Sequence, residues 1–316
     1  MFRNILLSYQ KKNKSVSVFL AYKLIIRGGD YMTVQLMMVE IKRYLSSFYY
    51  LIIVFSLFFI QILGLEGGIP FLFWGNEFLD NVNFICIVLS LFMSIYVCEE
   101  FANGTIQNKI YLGYKKKQIY IAEVTTCMIC GSTLVLLDTL FYILGSLIRG
   151  QKVEYSISYI AINTLIFMVT IASISAIICS LSFFVKKRLI TQLLLIFVAV
   201  ILINSGRRTI AILTDYESVF VEINEENDPA SKDLIESFTE ELSDTQRERL
   251  NIKITASPYA QCNFSSYITT EKPEDKAKQS FAFKKCDYHV DFMIADIIFS
   301  LLIILISANI FKKNNI

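Results

Sequence analysis

Few side chains in this chain could carry covalent or metal chemistry, and most of them stand in apolar surroundings. Cys127 and Cys130 form a C-x-x-C one helical turn apart, a spacing used by redox and metal motifs. They lie in an apolar run, however, where cysteine packs as a small hydrophobe and its thiolate has no cation to stabilise it. Cys86, Cys98 and Cys179 also lie in or beside apolar runs, which leaves Cys262 and Cys286 in polar sequence. On an oxidising face a disulfide between those two is permitted, and the sequence leaves it open. The single histidine, His289, argues against a multi-histidine metal centre and reads as an interfacial polar residue. Glu99-Glu100 would suit an intramembrane protease only with a second acidic or histidine cluster, and the apolar runs contain none. No G-x-x-x-x-G-K-[ST] phosphate loop occurs either. The expectation is a chain with no catalytic residues, no metal and no bound cofactor.

Asp138 falls in the middle of an apolar run, where an ionised carboxylate costs several kcal/mol unless it is paired or wetted. It is a candidate for lining an intramembrane path. Equally it could brace the bundle by a hydrogen bond to a hydroxyl on a neighbouring helix, or stay protonated. Glu123 and Asp296 stand nearer the ends of their runs, so solvation at the interface is expected to suffice for them.

What must position these residues is a set of membrane spans. Of the 316 residues 54% are hydrophobic and only 18% charged, against about a quarter charged in soluble domains. The apolar residues gather in runs of about twenty, the length that crosses a hydrocarbon core. Six spans are expected, over residues 46–65, 80–98, 119–147, 158–185, 189–205 and 291–311. Lys42 and Arg43 precede the first span, and Lys109 with Lys115, Lys116 and Lys117 follow the second. Lys186, Lys187 and Arg188 follow the fourth, and Lys312 and Lys313 the last. With six spans these all fall on one side, which the distribution of lysine and arginine makes cytoplasmic, together with both termini. The connection at 66–79 has no lysine or arginine and falls outside. The net charge of +2 says little, and with no clustered basic face carrying aromatics a nucleic-acid partner is not expected.

Residues 206–290 form the one large polar segment, on the outer side. Asp228-Pro229 resembles a helix N-cap with proline at the first position, and Leu234, Ile235, Phe238, Leu242 and Leu250 recur on one helical face. Residues 210–223 and 251–256 read as strands, which gives a small α+β insertion. At the other end, residues 1–31 lack a span and a cleavage site. Arg27-Gly28-Gly29-Asp30 can be encoded as a bacterial ribosome-binding sequence just upstream of Met32, so residues 1–31 are expected to be a non-structural leader. Residues 32–45 then form an interfacial helix, with Val34, Met37, Met38, Ile41, Tyr44 and Leu45 as its apolar face and Glu40, Lys42 and Arg43 opposite.

The connection after the second span reads Glu99-Glu100-Phe101-Ala102-Asn103-Gly104-Thr105-Ile106, followed by QNKIYLGYKKKQIYIAEV. This resembles the permease subunits of type-2 ATP-binding-cassette (ABC) exporters. In those proteins an acidic residue, a Gly-Thr pair, an apolar helix and a glycine with basic residues lead into the third span. Val39-Glu40-Ile41-Lys42-Arg43 looks like the start of that family's elbow helix, and Ile310-Phe311-Lys312-Lys313 like its cytoplasmic exit. The large outer segment departs from the family's minimal members. The resemblance implies an all-α polytopic protein of the bacterial cytoplasmic membrane, with six transmembrane helices at 46–205 and 291–316 behind the elbow helix. It further implies a non-catalytic subunit that pairs with a second permease half and is driven by a separate ATPase, on which ATP and Mg2+ reside. Coupling would fall to Glu100, Gly104, Thr105, Ile106, Lys109, Ile110, Gly113, Lys115, Lys116 and Lys117. By the residues alone, the same stretch reads first as a basic loop against anionic lipid headgroups, ahead of a docking helix. Export of a drug or an antimicrobial peptide, or immunity to one, is the functional expectation. A membrane sensor or scaffold that presents the outer segment to a ligand is the alternative.

Overall fold

The computed structural model of the chain describes residues 29–65, 67–69, 72–74, 78–79, 81–150, 153, 156–225, 244–262 and 288–313. Residues 1–28, most of the expected leader, lie outside them. Helix α1 (Gly29–Leu45) begins upstream of Met32 and leads into α2 (Phe48–Leu63). Strands β1 (Gly67–Ile69) and β2 (Leu72–Trp74) pair antiparallel, with Gly68 opposite Phe73. The chain continues through α3 (Val82–Ala102), the short α4 (Thr105–Tyr111), α5 (Lys116–Ile148), α6 (Ile157–Val185) and α7 (Arg188–Glu225). Then follow α8 (Asp244–Thr255), the single turn α9 (Pro258–Gln261) and α10 (Tyr288–Lys313).

Among the described residues five helices are long and apolar enough to cross a membrane, in α3, α5, α6, α7 and α10. A sixth crossing is available from α1 and α2 taken together, which meet at a bend of 56°. The bend has a local cause. Ser47 caps α2 by accepting a hydrogen bond from the Tyr50 amide, which starts a new helix rather than continuing the old one. Helix α5, at 33 residues, runs about 50 Å and exceeds the roughly 30 Å of hydrocarbon.

Polarity is arranged inside out. Ser90, Ser94, Thr126, Asp138, Ser173, Ser182 and Asp296 are buried, while Phe55, Phe59, Leu140, Leu193, Phe197, Leu301 and Leu302 face outward. Water would penalise that outer surface; lipid tails do not. Rings of Phe101, Tyr120, Phe183 and Phe311 pack edge to face or tilted, so the ends of α3, α6 and α10 meet the start of α5. At this same end Arg188 pairs with Glu99 at 3.1 Å, and Lys186 lies over the Phe101 ring.

The polar segment at 206–290 differs, over its described residues, from its expected α+β form. Residues 210–223 continue α7, and residues 251–255 belong to α8. Among the described residues the only strands are β1 and β2. Asp228-Pro229 and Leu234, Ile235, Phe238 and Leu242 lie outside those residues, and Leu250 is on α8. Helix α9 reaches into the bundle beside α3, α6, α7 and α10. Its cap is Ser257, whose hydroxyl accepts from the Ala260 amide, with Pro258 in the first turn. Gly206 makes room for it: a Cβ there would stand 2.5 Å from Ala260 Cα.

Candidate functional site: a buried ion cluster behind a short connecting helix

Two left-handed glycines frame α4, Gly104 with φ +68° and Gly113 with φ +95°, a conformation that costs other residues strain. The expected sharp turns are therefore present. Within α4, Ile106, Lys109 and Ile110 share one face by helical spacing, and that face turns inward. Ile106 is 1% exposed and Lys109 6%, while Ile110 packs at the edge of the core. The sequence reading had offered Ile106, Lys109 and Ile110 to a partner; the first two are committed to the chain's own interior. The outward positions are Gln107, Asn108, Tyr111 and Leu112, the last two 86% and 74% exposed. Lys115 and Lys117 are exposed beside them, Lys116 and Thr105 half-buried.

Behind α4 the Lys109 ammonium sits among three carboxylates. It lies 2.9 Å from Glu40 Oε1 on α1 and 2.6 Å from Glu100 Oε2 on α3, and it also pairs with Glu123 Oε1 on α5. Arg43 adds a second cation, 2.5 Å from Glu40 Oε2 and paired with Glu100 Oε1. Tyr96 joins the two shells: its hydroxyl accepts from Arg43 Nε at 2.6 Å and donates to Glu40 Oε2 at 3.2 Å. Four helices thus meet on one ammonium. Each glutamate offers an oxygen within 4.8 Å of the other two, close enough to ligate a cation, and Lys109 supplies the charge such an ion would bring.

This geometry corrects two expectations. Glu40 and Arg43 do not form a solvated face of α1: Glu40 is buried with Leu36 and Tyr44, while Met38, Val39 and Leu45 face out. Glu123 is not solvated at an interface but fully buried and ion-paired. The sequence reading named Glu100 and Lys109 but did not join them to Glu40, Arg43, Tyr96 or Glu123. The available signal was acidic residues standing at a membrane edge otherwise rich in lysine and arginine.

Two further polar centres lie in the bundle. Asp138 is fully buried and accepts from Gln61 Nε2 at 3.1 Å and Asn81 Nδ2 at 2.9 Å. It ties α5 to α2 and to the start of α3 through side-chain amides rather than hydroxyls. Asp296, also expected at an interface, is 1% exposed. It accepts from Thr170 Oγ1 at 2.7 Å and from Gln261 Nε2 at 3.2 Å, which fastens α10 to α6 and α9. An open apolar groove of 320 Å³ runs between α5, α6 and α10, with Ser173 and Ser300 among its lining.

Cys262 is buried, and its sulfur lies against Cys86; Cys286 is outside the described residues. Cys127 and Cys130 are fully buried in the apolar core, as expected. No protein-family model matches the chain, and no curated protein matches it either.

Proposed function

We propose that this chain is the permease subunit of an ABC exporter. Two such halves would form the translocation path, and a separate ATP-binding subunit would bring ATP and Mg2+. The observation that carries the reading is the two-faced α4. Its outer face offers Tyr111 and Leu112 within a rim of lysines, while its inner face holds Lys109 against carboxylates from α1, α3 and α5. A partner that grips the outer face can displace α4, and the ion pairs pass that displacement to three other helices. The resemblance of residues 99–117 to the type-2 exporters supports the same assignment. A drug or peptide antibiotic is the substrate class we carry with it.

The decisive experiment looks for a cassette ATPase gene beside this one and reconstitutes the two products together in lipid nanodiscs. Hydrolysis is expected to rise severalfold over the ATPase alone. A chain that neither binds nor stimulates such an ATPase, while presenting its outer segment to a ligand, is a sensor and not a permease.

For localisation we propose six spans in a bacterial cytoplasmic membrane, with both termini inside. The basic residues near the ends of α3, α6 and α10, at the end where the aromatic cluster sits, support this orientation. A cysteine introduced at Ser231 is expected to react with a membrane-impermeant maleimide in intact cells. Reaction only after lysis overturns the orientation.

A further inference from the structure

We propose that Cys86 and Cys262 form a disulfide that fastens α9 to α3. The two sulfurs are 3.1 Å apart, about 1 Å more than the bonded distance of ~2.05 Å. The pairing is not an isolated approach of two side chains. One turn further along α3, and three residues before Cys262, Ser90 Oγ and Tyr259 Oη lie 3.5 Å apart. Cys86 and Ser90 are thus successive rungs on one face of α3, and they meet Cys262 and Tyr259 in opposite chain order.

The remaining sides of α9 are held as well. Gln261 donates to Asp296 Oδ1 and to the Thr255 carbonyl, and its Oε1 lies 3.3 Å from Thr170 Oγ1. Gly206 admits Ala260 at the backbone of α7. The turn that carries Cys262 is therefore positioned by contacts independent of its sulfur, and the sulfur is delivered to Cys86 by that placement. The five other cysteines comprise Cys98, Cys127, Cys130 and Cys179, which are buried in or beside the spans, and Cys286.

The redox step balances by thiol–disulfide exchange with an oxidised dithiol carrier on the outer face. One cysteine, as its thiolate, attacks the carrier disulfide; a mixed disulfide forms and one carrier thiol leaves. The second thiolate then displaces the other carrier thiol. Two protons and two electrons pass to the carrier, which ends as a dithiol, and one S–S bond forms in the chain. Both sulfurs are fully buried once α9 is seated, so the exchange occurs before α9 packs. The finished bond is shielded from reductants. The compartment, and only the compartment, rests on the orientation proposed above.

The test uses the full-length protein in its native membrane. It is denatured without reductant, alkylated, digested and examined by mass spectrometry. The expected result is a peptide pair linked through Cys86 and Cys262, with the remaining cysteines alkylated, and release of the pair by reductant. In Cys86→Ala, Cys262 is expected to become alkylatable without reduction. Alkylation of both residues in the unreduced parent overturns the proposal, as does a Cys262–Cys286 link. Labelling at Ser231 reports orientation separately, so a wrong topology and an absent bond are told apart. As a second readout, parent produced and purified with reductant present throughout, so that the bond never forms, is expected to melt below parent produced without it, while Cys86→Ala melts at the same temperature after either preparation. A parent that melts at the same temperature in both conditions overturns the fastening role.

Discussion

Replacing Lys109 with methionine is expected to destabilise the folded chain by about 3–5 kcal/mol, the range seen when one member of a buried ion pair is removed. The side chain keeps its unbranched stem, one atom shorter, and loses its charge. Glu40, Glu100 and Glu123 would then face one another in the bundle, with Arg43 as the cation still beside them. Arg43 is 39% exposed at its side chain and reaches only Glu40 and Glu100. Repulsion is therefore concentrated at Glu123, whose ion-pair partner in the described residues is Lys109. The measurement is thermal unfolding of the full-length protein in detergent, parent against Lys109→Met. A second arm separates electrostatics from packing. The three carboxylates are spaced to ligate an ion once the ammonium is gone, and oxygen-only sites suit calcium. Millimolar Ca2+ is expected to restore part of the lost stability in Lys109→Met and to leave the parent unmoved. A methionine variant that melts with the parent would show that the cluster contributes no stability.

The distinction between what the sequence disclosed and what it hid follows from range. The five long apolar helices were legible because each is a continuous run whose length and composition carry the signal, whereas α2 at 16 residues is too short to cross alone. The glycine turns at Gly104 and Gly113 were legible because a positive φ leaves few other residues to choose. The strand reading at 210–223 failed for a local reason. Ile210, Ile212, Val219 and Val221 alternate, but no proline or glycine interrupts residues 207–225, and α7 propagates through them. At 251–256 a short alternation, Asn-Ile-Lys-Ile, follows Thr245–Leu250, and the helix that forms there extends over it. The ion cluster was hidden because its members come from α1, α3, α4 and α5, and only tertiary packing brings four such segments to one ammonium. Asp296 was misplaced for the same reason. Its depth is set by Gln261, on a turn whose Ser257-Pro258 cap is visible in the sequence but whose insertion into the bundle is not.

Changing Tyr111 and Leu112 together to aspartate is expected to break the proposed link to the ATPase while leaving the chain folded. Both side chains project from the outer end of α4 and make little contact with the bundle, at 86% and 74% exposure. Their replacement should therefore cost the isolated chain little. If a partner groove covers them, each large apolar side chain contributes about 1.5–3 kcal/mol to the contact. Losing both, and burying carboxylates in their place, should weaken association by at least 100-fold at about 1.4 kcal/mol per tenfold. Ile106→Asp would not serve as the test, because Ile106 is 1% exposed and packs in the core; it would unfold α4 from the bundle and abolish coupling for an uninteresting reason. The assay co-reconstitutes parent or double variant with the ATPase and reads binding and stimulated hydrolysis. Thermal unfolding of the chain alone serves as the control. Loss of stimulation at an unchanged melting temperature supports docking through the outer face of α4. Full association and full stimulation in the double variant would mean that the partner does not use this face, and energy would have to enter the spans elsewhere.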